Sequence, residues 1–186
     1  MAESRTYRNV ALVGFMGAGK TTVGNILAGL LDFEFLDTDR MIEQRQGSRV
    51  TEIFASRGEP HFRALESALC RELESATGKV IATGGGLAVD PANLASLRRH
   101  ALVVCLWASP EVIHERVRHQ HHRPLLLTAD PLGRIRELLA QRAPAYRSAD
   151  VLVGVDFRSP IDTARFVAAS FRRARQAGPP AGPAAA

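Results

Sequence analysis

The sequence predicts an α/β fold in three layers, with a parallel sheet of about five strands flanked by helices. Short apolar runs alternate with segments of helical period along most of the chain, which is the order that a parallel sheet requires. The runs are apolar at nearly every position, as is typical of strands that are covered on both faces. Hydrophobic residues make up 46% and charged residues 23% of the chain, so the composition is that of an ordinary globular domain.

The elements follow one another in a regular order. The predicted strands are the apolar runs 9–13, 33–36, 79–82, 101–107 and 151–155. Helices with one apolar face are predicted at 20–31, 39–46, 50–57, 59–76, 110–118, 132–146 and 160–175. One more helix opens at Asp90 and Pro91, with the aspartate as N-cap and the proline at the first helical position.

The chain of 186 residues is expected to form one domain over residues 1–177. Residues 115–131 are polar and contain prolines, and they interrupt the alternation of strands and helices. We expect this segment to form a small mobile lid. Residues 178–186 contain only proline, glycine and alanine and are expected to be disordered.

The charge of the chain favours an anionic small-molecule partner. The net charge is +5, and the only lysines are Lys20 and Lys79, so the excess is nearly all arginine. The arginines are scattered and form no run of five or more basic residues, so a nucleic-acid binder is the less favoured alternative. Four histidines between His114 and His122 have no carboxylate or cysteine set beside them, so we expect no metal site there.

Nothing in the sequence indicates export or membrane insertion. The N-terminus has no apolar signal segment, and no apolar run approaches the ~20 residues of a membrane span. Cys70 and Cys105 belong to no CxxC motif and are expected to be buried thiols in a reducing compartment. We therefore expect a cytoplasmic protein, and a monomer. Trp107 ends an apolar strand and is expected to pack in the core.

Residues 14–21, Gly-Phe-Met-Gly-Ala-Gly-Lys-Thr, match the phosphate-binding P-loop pattern G-x-x-x-x-G-K-[ST]. The glycines allow successive backbone N–H groups to face phosphate oxygens, and the following helix presents its positive N-terminus. Lys20 is expected to reach the β- and γ-phosphates and the Thr21 hydroxyl to bind Mg²⁺. The ATP-binding residues expected in this loop are Gly17, Ala18, Gly19, Lys20, Thr21 and Thr22.

A P-loop alone does not separate a kinase from other nucleotide-binding proteins. A GTPase of the common type needs an N-K-x-D motif, which the two lysines exclude. Motor-type ATPases are usually longer. A short P-loop domain with an arginine-bearing loop near residue 120 resembles the nucleoside-monophosphate-kinase group.

Five further motifs occur in a fixed order on this P-loop scaffold. They are Leu36-Asp37-Thr38-Asp39, Gly58-Glu59 with Phe62-Arg63, Thr83-Gly84-Gly85-Gly86, Arg123-Pro124-Leu125-Leu126, and Arg142-Ala143-Pro144-Ala145-Tyr146. Together they resemble the shikimate kinase family, and the resemblance runs from about residue 9 to residue 165. It implies transfer of the γ-phosphate of ATP to the 3-hydroxyl of shikimate, with Mg²⁺ as cofactor.

The resemblance also implies roles for individual residues. On the acceptor side, Asp39 is expected to bind the shikimate hydroxyls and act as general base. Arg63 and Arg142 are expected to clamp the shikimate carboxylate. Gly84, Gly85 and Gly86 are expected to let the backbone approach the substrate.

On the nucleotide side, Asp37 is expected to hold Mg²⁺ together with Thr21. Arg123 is expected to reach both the acceptor and the transferring phosphate from the lid. Arg118 is similar in placement to a second lid arginine near the phosphates, and Arg158 to one near the adenine. The catalytic residues of this account are Lys20, Asp39 and Arg123.

Simpler structural explanations stay open for several of these residues. Asp37 or Asp39 could cap a helix, with Asp39 as the better candidate. Arg63 could merely pair with Glu59 or Glu66 on its own helix. The three glycines could form only a turn. At the level of the whole protein, the alternatives are another small-metabolite kinase, such as a gluconate kinase, or a non-catalytic ATP-binding switch.

Overall fold

The structure, a computed structural model, describes residues 5–118 and 128–176. It contains five strands: β1 (Asn9–Val13), β2 (Glu34–Asp37), β3 (Lys79–Ala82), β4 (Ala101–Trp107) and β5 (Val151–Gly154). The helices in this part of the chain are α1 (Lys20–Leu31), α2 (Thr38–Gln46), α3 (Val50–Glu72), α4 (Pro91–His100), α5 (Pro110–Val117), α6 (Pro131–Arg147) and α7 (Pro160–Gln176). Short 3₁₀ turns cover Leu73–Ser75 and Leu87–Val89.

All five strands pair in parallel in the order β2-β3-β1-β4-β5, which confirms the predicted fold class. Strand β1 is central, and Val10 pairs with Val80 on one side and with Leu102 on the other. Because the strands are parallel, all of their carboxyl ends lie at one edge of the sheet. The chain leaves β1 for α1 there, and β3 and β4 lie on opposite sides of β1, so the crevice at this edge is the usual ligand site of such sheets.

The core explains why the strands read as continuous apolar runs. Every residue of β1 is fully buried, and β4 is buried except at Trp107. Helices α1 and α7 pack against each other, and α4 contacts β4 and α3. Trp107 packs against the core, as predicted.

One local prediction is confirmed and another needs correction. The helices predicted at 50–57 and 59–76 are separated as predicted, because α3 is broken at Gly58, whose φ of 78° is left-handed. The N-cap of α2 is Asp37 and not Asp39, because the Asp37 side chain accepts hydrogen bonds from the backbone N–H groups of Asp39 and Arg40. Asp90 does cap α4 as predicted, through the N–H of Ala92.

Candidate active site

The P-loop connects β1 to α1 in the conformation that its glycines allow. Gly14, Gly17 and Gly19 have φ values of 134°, 77° and 96°, which side chains other than glycine rarely adopt. The Nζ of Lys20 donates hydrogen bonds to the carbonyls of Gly14 at 2.8 Å and Phe15 at 2.9 Å. The lysine ammonium thus lies against the loop, at the N-terminus of α1, where an anion is favoured.

Thr21 and Asp37 meet in front of this loop. The Oγ1 of Thr21 lies 3.1 Å from Oδ2 of Asp37, while Oδ1 of Asp37 caps α2. The cap fixes the carboxylate and leaves its second oxygen beside the threonine hydroxyl. This arrangement supplies two hard oxygen donors from different elements, and Mg²⁺ prefers such ligands.

A cleft of about 680 Å³ lies over the P-loop at the carboxyl edge of the sheet. Its wall contains all the predicted ATP-binding residues of the loop, together with Asp37, Asp39, Gly85 and Arg158. The guanidinium of Arg158 packs over the ring of Phe166, 5.1 Å from its centroid. The P-loop and the first glycine-rich turn after β3 therefore share one cavity.

Helix α5 contributes an arginine that the sequence analysis missed. Arg116 lines the cleft, with its Nη1 3.3 Å from the carbonyl oxygen of Gly17 and its Nη2 3.1 Å from that of Val155. Arg118 does not line this cleft, and it forms an ion pair of 2.9 Å with Glu115 on the same helix. Residues two positions apart on a helix are about 200° apart around its axis, so the two arginines point in different directions.

Arg63 and its acidic neighbours lie beside the last glycine of the turn after β3. Its Nη1 lies 2.5 Å from Oε2 of Glu66, and its Nη2 lies 2.7 Å from Oε1 of Glu59. The guanidinium lies flat against Gly86, where an added Cβ would come within 2.6 Å of its central carbon. Both helical pairs that the sequence allowed are therefore present, and glycine at position 86 leaves room for the arginine.

Arg142 and Tyr146 approach the same glycine-rich turn from α6. Nη1 of Arg142 lies 3.3 Å from the carbonyl oxygen of Gly85, and the Tyr146 hydroxyl donates to that oxygen at 2.6 Å. The arginine also packs over the ring of Phe15, 5.4 Å from its centroid. Burial raises the pKa of Tyr146 to about 12, so its hydroxyl keeps its proton and fixes the turn.

Gly84 brings two carboxyl groups together. A Cβ added at Gly84 would lie 2.8 Å from Oε1 of Glu66 and would overlap Oδ1 of Asp39. The N–H of Gly84 donates to the Thr38 hydroxyl at 2.9 Å, which ties the turn to the start of α2. Burial is the main cause that raises the pKa of Glu66 to about 7, against the opposing effect of Arg63.

Comparison with known proteins supports the family resemblance that the sequence motifs indicated, and it does so along most of the chain. The family model for shikimate kinase matches residues 16–171. The chain belongs to the shikimate kinase family. A shikimate kinase of Caldanaerobacter subterraneus subsp. tengcongensis is 46% identical over 148 residues, which cover 80% of this chain and 86% of the relative. One of Desulforudis audaxviator is 49% identical over 152 residues, which cover 82% and 80%.

Solved structures of shikimate kinases share the fold. The shikimate kinase of Acinetobacter baumannii, determined in complex with shikimate, superposes with a TM-score of 0.86 at 38% identity. The superposition covers 91% of this chain and 95% of that protein. The fold and family expected from the motifs are confirmed.

Not every residue that the shikimate kinase motifs single out can be placed. Arg123 lies in 119–127, outside the described residues, as do His119, His121 and His122 and the tail from 177. Within 5–118 and 128–176, no group of three or more histidine, cysteine, aspartate or glutamate side chains could hold a metal ion. No helix in the same ranges is long and apolar enough to cross a membrane.

Sequence reasoning also did not assign Glu66 to the site. The sequence suggested only that Glu66 could pair with Arg63 on the same helix. In the structure its side chain is completely buried beside Asp39 and Gly84. The spacing of three residues after Arg63 was the available signal, because it places both side chains on one face of a helix.

Proposed function

We propose that this chain transfers the γ-phosphate of ATP to the 3-hydroxyl of shikimate, as its membership of the shikimate kinase family indicates. The observation that carries the proposal is the convergence of Arg63 from α3 and Arg142 from α6 on the glycine-rich turn after β3, beside the P-loop. Two guanidiniums beside one turn suit a carboxylate, because each can bind both of its oxygens.

The nucleotide occupies the cleft over the P-loop in this proposal. Backbone N–H groups of residues 17–22 and the N-terminus of α1 receive its phosphates, and Lys20 moves from the loop carbonyls to the β- and γ-phosphates. Arg116 and Arg158 line the cleft, and a planar guanidinium can stack on the adenine ring. For Arg118, a contact with the phosphates stays a prediction.

The fit of a magnesium ion rests on Thr21 and Asp37. Their oxygens lie 3.1 Å apart at the mouth of the P-loop, and both are of the type that Mg²⁺ binds. When bound, the ion would neutralise charge on the phosphate oxygens. The chain itself would hold the ion through these two residues, with the Asp37 carboxylate oriented by the α2 cap.

Asp39 is the proposed base. It lines the cleft and also lies against Gly84 in the acceptor site, so it stands between the phosphate donor and the acceptor. An alcohol is far too weak an acid to lose its proton before reaction, so a carboxylate helps mainly as the oxygen–phosphorus bond forms. Asp39 would accept the proton from the 3-hydroxyl at that moment.

Water must be kept from the transferring phosphoryl group. The lid expected at 115–131 is shorter than predicted, because residues 115–117 belong to α5 and Pro131 begins α6. We propose that Arg123 and the segment between these two helices close over the site when both substrates are bound. Arg123 would then add positive charge where negative charge develops in the transition state.

The proposals for location, oligomeric state and partners rest on the composition of the chain and on its two thiols. We propose a cytoplasmic monomer that acts on small molecules and not on nucleic acid or membranes. Cys70 and Cys105 are both buried and free, which supports a reducing compartment.

A coupled assay of ADP release tests the proposed acceptor. The enzyme is given Mg-ATP with shikimate, quinate, gluconate or no acceptor. The proposal predicts fast turnover with shikimate alone. Turnover with gluconate would keep a kinase but reassign Arg63, Arg142 and Asp39, and ADP release that ignores the acceptor would indicate an ATPase or a switch.

A further inference from the structure

The carboxyl group of Glu66 is the least expected feature of the acceptor site. Its side chain is completely inaccessible to solvent, although glutamate is almost never fully buried unless it is paired. Only one of its two oxygens is paired: Oε2 accepts from Arg63 at 2.5 Å, while Oε1 is buried without a hydrogen-bond partner in the described part of the chain. A buried carboxylate oxygen without a donor is costly, and a proton on that oxygen removes the negative charge that makes its burial most costly.

The charges around Glu66 make the ionised form still less favourable. The groups that face it are Arg63 on its own helix, Asp39 on α2 and Arg142 on α6, with Glu59 on the far side of Arg63. When all are ionised, the carboxylates of Glu59, Glu66 and Asp39 outnumber the guanidiniums of Arg63 and Arg142 by one. The site that is to receive an anion is therefore already negative.

Arg63 retains donors for that anion. A guanidinium has five N–H donors, and three of them bond to Glu59 and Glu66. One donor remains on each Nη atom. A bound carboxylate would use these donors and bring a further negative charge next to Glu66.

We propose that Glu66 takes up a proton from solvent when the acceptor carboxylate binds, and releases it when the product leaves. The proton adds to Oε1, the oxygen that lies against Gly84, and no other bond changes. Glu66 is then neutral, the two arginines pair with the substrate and the remaining acids, and the net charge of the site is the same as before the anion bound. This inference rests on the proposed acceptor site and gives Glu66 a positioning role in it.

The sign of the pH effect follows from this coupling. Glu66 has a pKa of about 7 in the free protein, so it is mostly ionised above neutrality and must gain a proton on binding. Affinity for the acceptor then falls as pH rises through and above that value. The acceptor's own carboxylate, with an ordinary pKa of about 4, stays ionised throughout and takes no part.

Isothermal titration calorimetry of shikimate binding, without nucleotide, tests the proposal. Titrations at about pH 7.5 in PIPES and in imidazole buffers, which differ in ionisation enthalpy, give the number of protons exchanged. We expect uptake of roughly three-quarters of a proton, and about a sixfold loss of affinity per pH unit in that range. Glu66→Gln keeps the size and the acceptor oxygen for Arg63 but cannot titrate, so its uptake should be zero and its affinity independent of pH.

Glu59→Gln is the matched control, because Glu59 bonds to the same arginine but is exposed. It should retain the proton uptake. Zero uptake by the unmodified protein, or undiminished uptake by Glu66→Gln, would overturn the proposal. Absence of any shikimate binding would instead refute the proposed function.

A second measurement keeps the test independent of the variant's folding. With glutamate labelled by ¹³C at the side-chain carboxyl, one resonance of the unmodified protein should move toward its protonated position when shikimate is added at fixed pH. If no glutamate resonance moves in this way, the proposal is wrong.

Discussion

The hydroxyl of Thr21 lies 3.1 Å from Oδ2 of Asp37, and this contact joins the start of α1 to the end of β2. Asp37 is held from its other side, because Oδ1 caps α2. The two residues are 16 positions apart in sequence, and the parallel sheet brings them together at the mouth of the P-loop.

Thr21→Ala should weaken the use of magnesium. The variant removes one of the two oxygens proposed to hold the ion, so the Mg²⁺ concentration needed for half-maximal rate should rise about tenfold to a hundredfold. The measurement is a Mg²⁺ titration of turnover at saturating ATP and shikimate. Thr21→Ser keeps the hydroxyl and should behave like the parent, and an unchanged requirement in Thr21→Ala would remove Thr21 from the magnesium site.

The two lysines of the chain offer a matched pair. Lys20→Met should lower kcat roughly 10³-fold, because the charge at the β- and γ-phosphates disappears. Lys79→Met should turn over normally, because Lys79 lies on β3 and pairs with the exposed Glu34. Steady-state measurement of kcat for both variants tests this prediction. A near-normal kcat in Lys20→Met would contradict the proposed role of the P-loop lysine.

Arg116 and Arg118 can be separated by their effects on ATP. Arg116 lines the cleft and Arg118 does not, so Arg116→Ala should raise KM for ATP about fivefold to twentyfold, from the loss of stacking or hydrogen bonding. Arg118→Ala should have the smaller effect on the same KM. The reverse order would support the sequence-based assignment of Arg118 and indicate that α5 turns when nucleotide binds.

Gly84→Ala should damage both stability and activity. Its Cβ would overlap Oδ1 of Asp39 and approach Oε1 of Glu66 to 2.8 Å, which costs about 1–3 kcal/mol of unfolding free energy and displaces the proposed base. Urea unfolding and kcat/KM for shikimate measure the two effects. Gly29→Ala is the control, because it is a helical glycine with nothing within 4 Å, and alanine there should stabilise α1 by about 0.5–1 kcal/mol. If the two variants had the same unfolding free energy and the same kcat/KM, crowding against Asp39 and Glu66 at position 84 would be excluded.

Much of the fold follows from local features of the sequence. Strands β1 and β4 are continuous apolar runs because both of their faces are covered. Asp90-Pro91 begins α4 because the aspartate caps it and proline fits the first turn. The order of strands in the sheet is set by packing between distant segments, and no local pattern reports it.

In the site, too, some features follow from local sequence and others depend on packing between distant segments. The P-loop and the pair of Arg63 with its helical neighbours are local and were predicted. Arg116 was missed because the direction of a side chain depends on where the helix lies against the sheet. Asp39 was the preferred cap from its position alone, but Asp37 has the extended backbone that lets a side chain turn back on the helix. Burial of Glu66 depends on α2, α6 and the turn after β3, all remote in sequence.

The acceptor carboxylate clamp is the central claim, and a cycle of two acceptors and two enzymes tests it most directly. The value of kcat/KM is measured for shikimate and for its methyl ester, with the parent protein and with Arg63→Ala. Hydrogen bonds to charged groups contribute about 1.5–3 kcal/mol, so the parent should prefer shikimate by roughly 10- to 100-fold. Arg63→Ala should lose most of this preference.

Arg45→Ala is the control for this cycle, because Arg45 forms an exposed ion pair with Glu72 away from the cleft, and it should keep the preference of the parent. A melting curve for Arg63→Ala shows that it is folded at the assay temperature. A parent protein that uses the ester as well as shikimate, or an Arg63→Ala variant that discriminates as strongly as the parent, would contradict the carboxylate clamp.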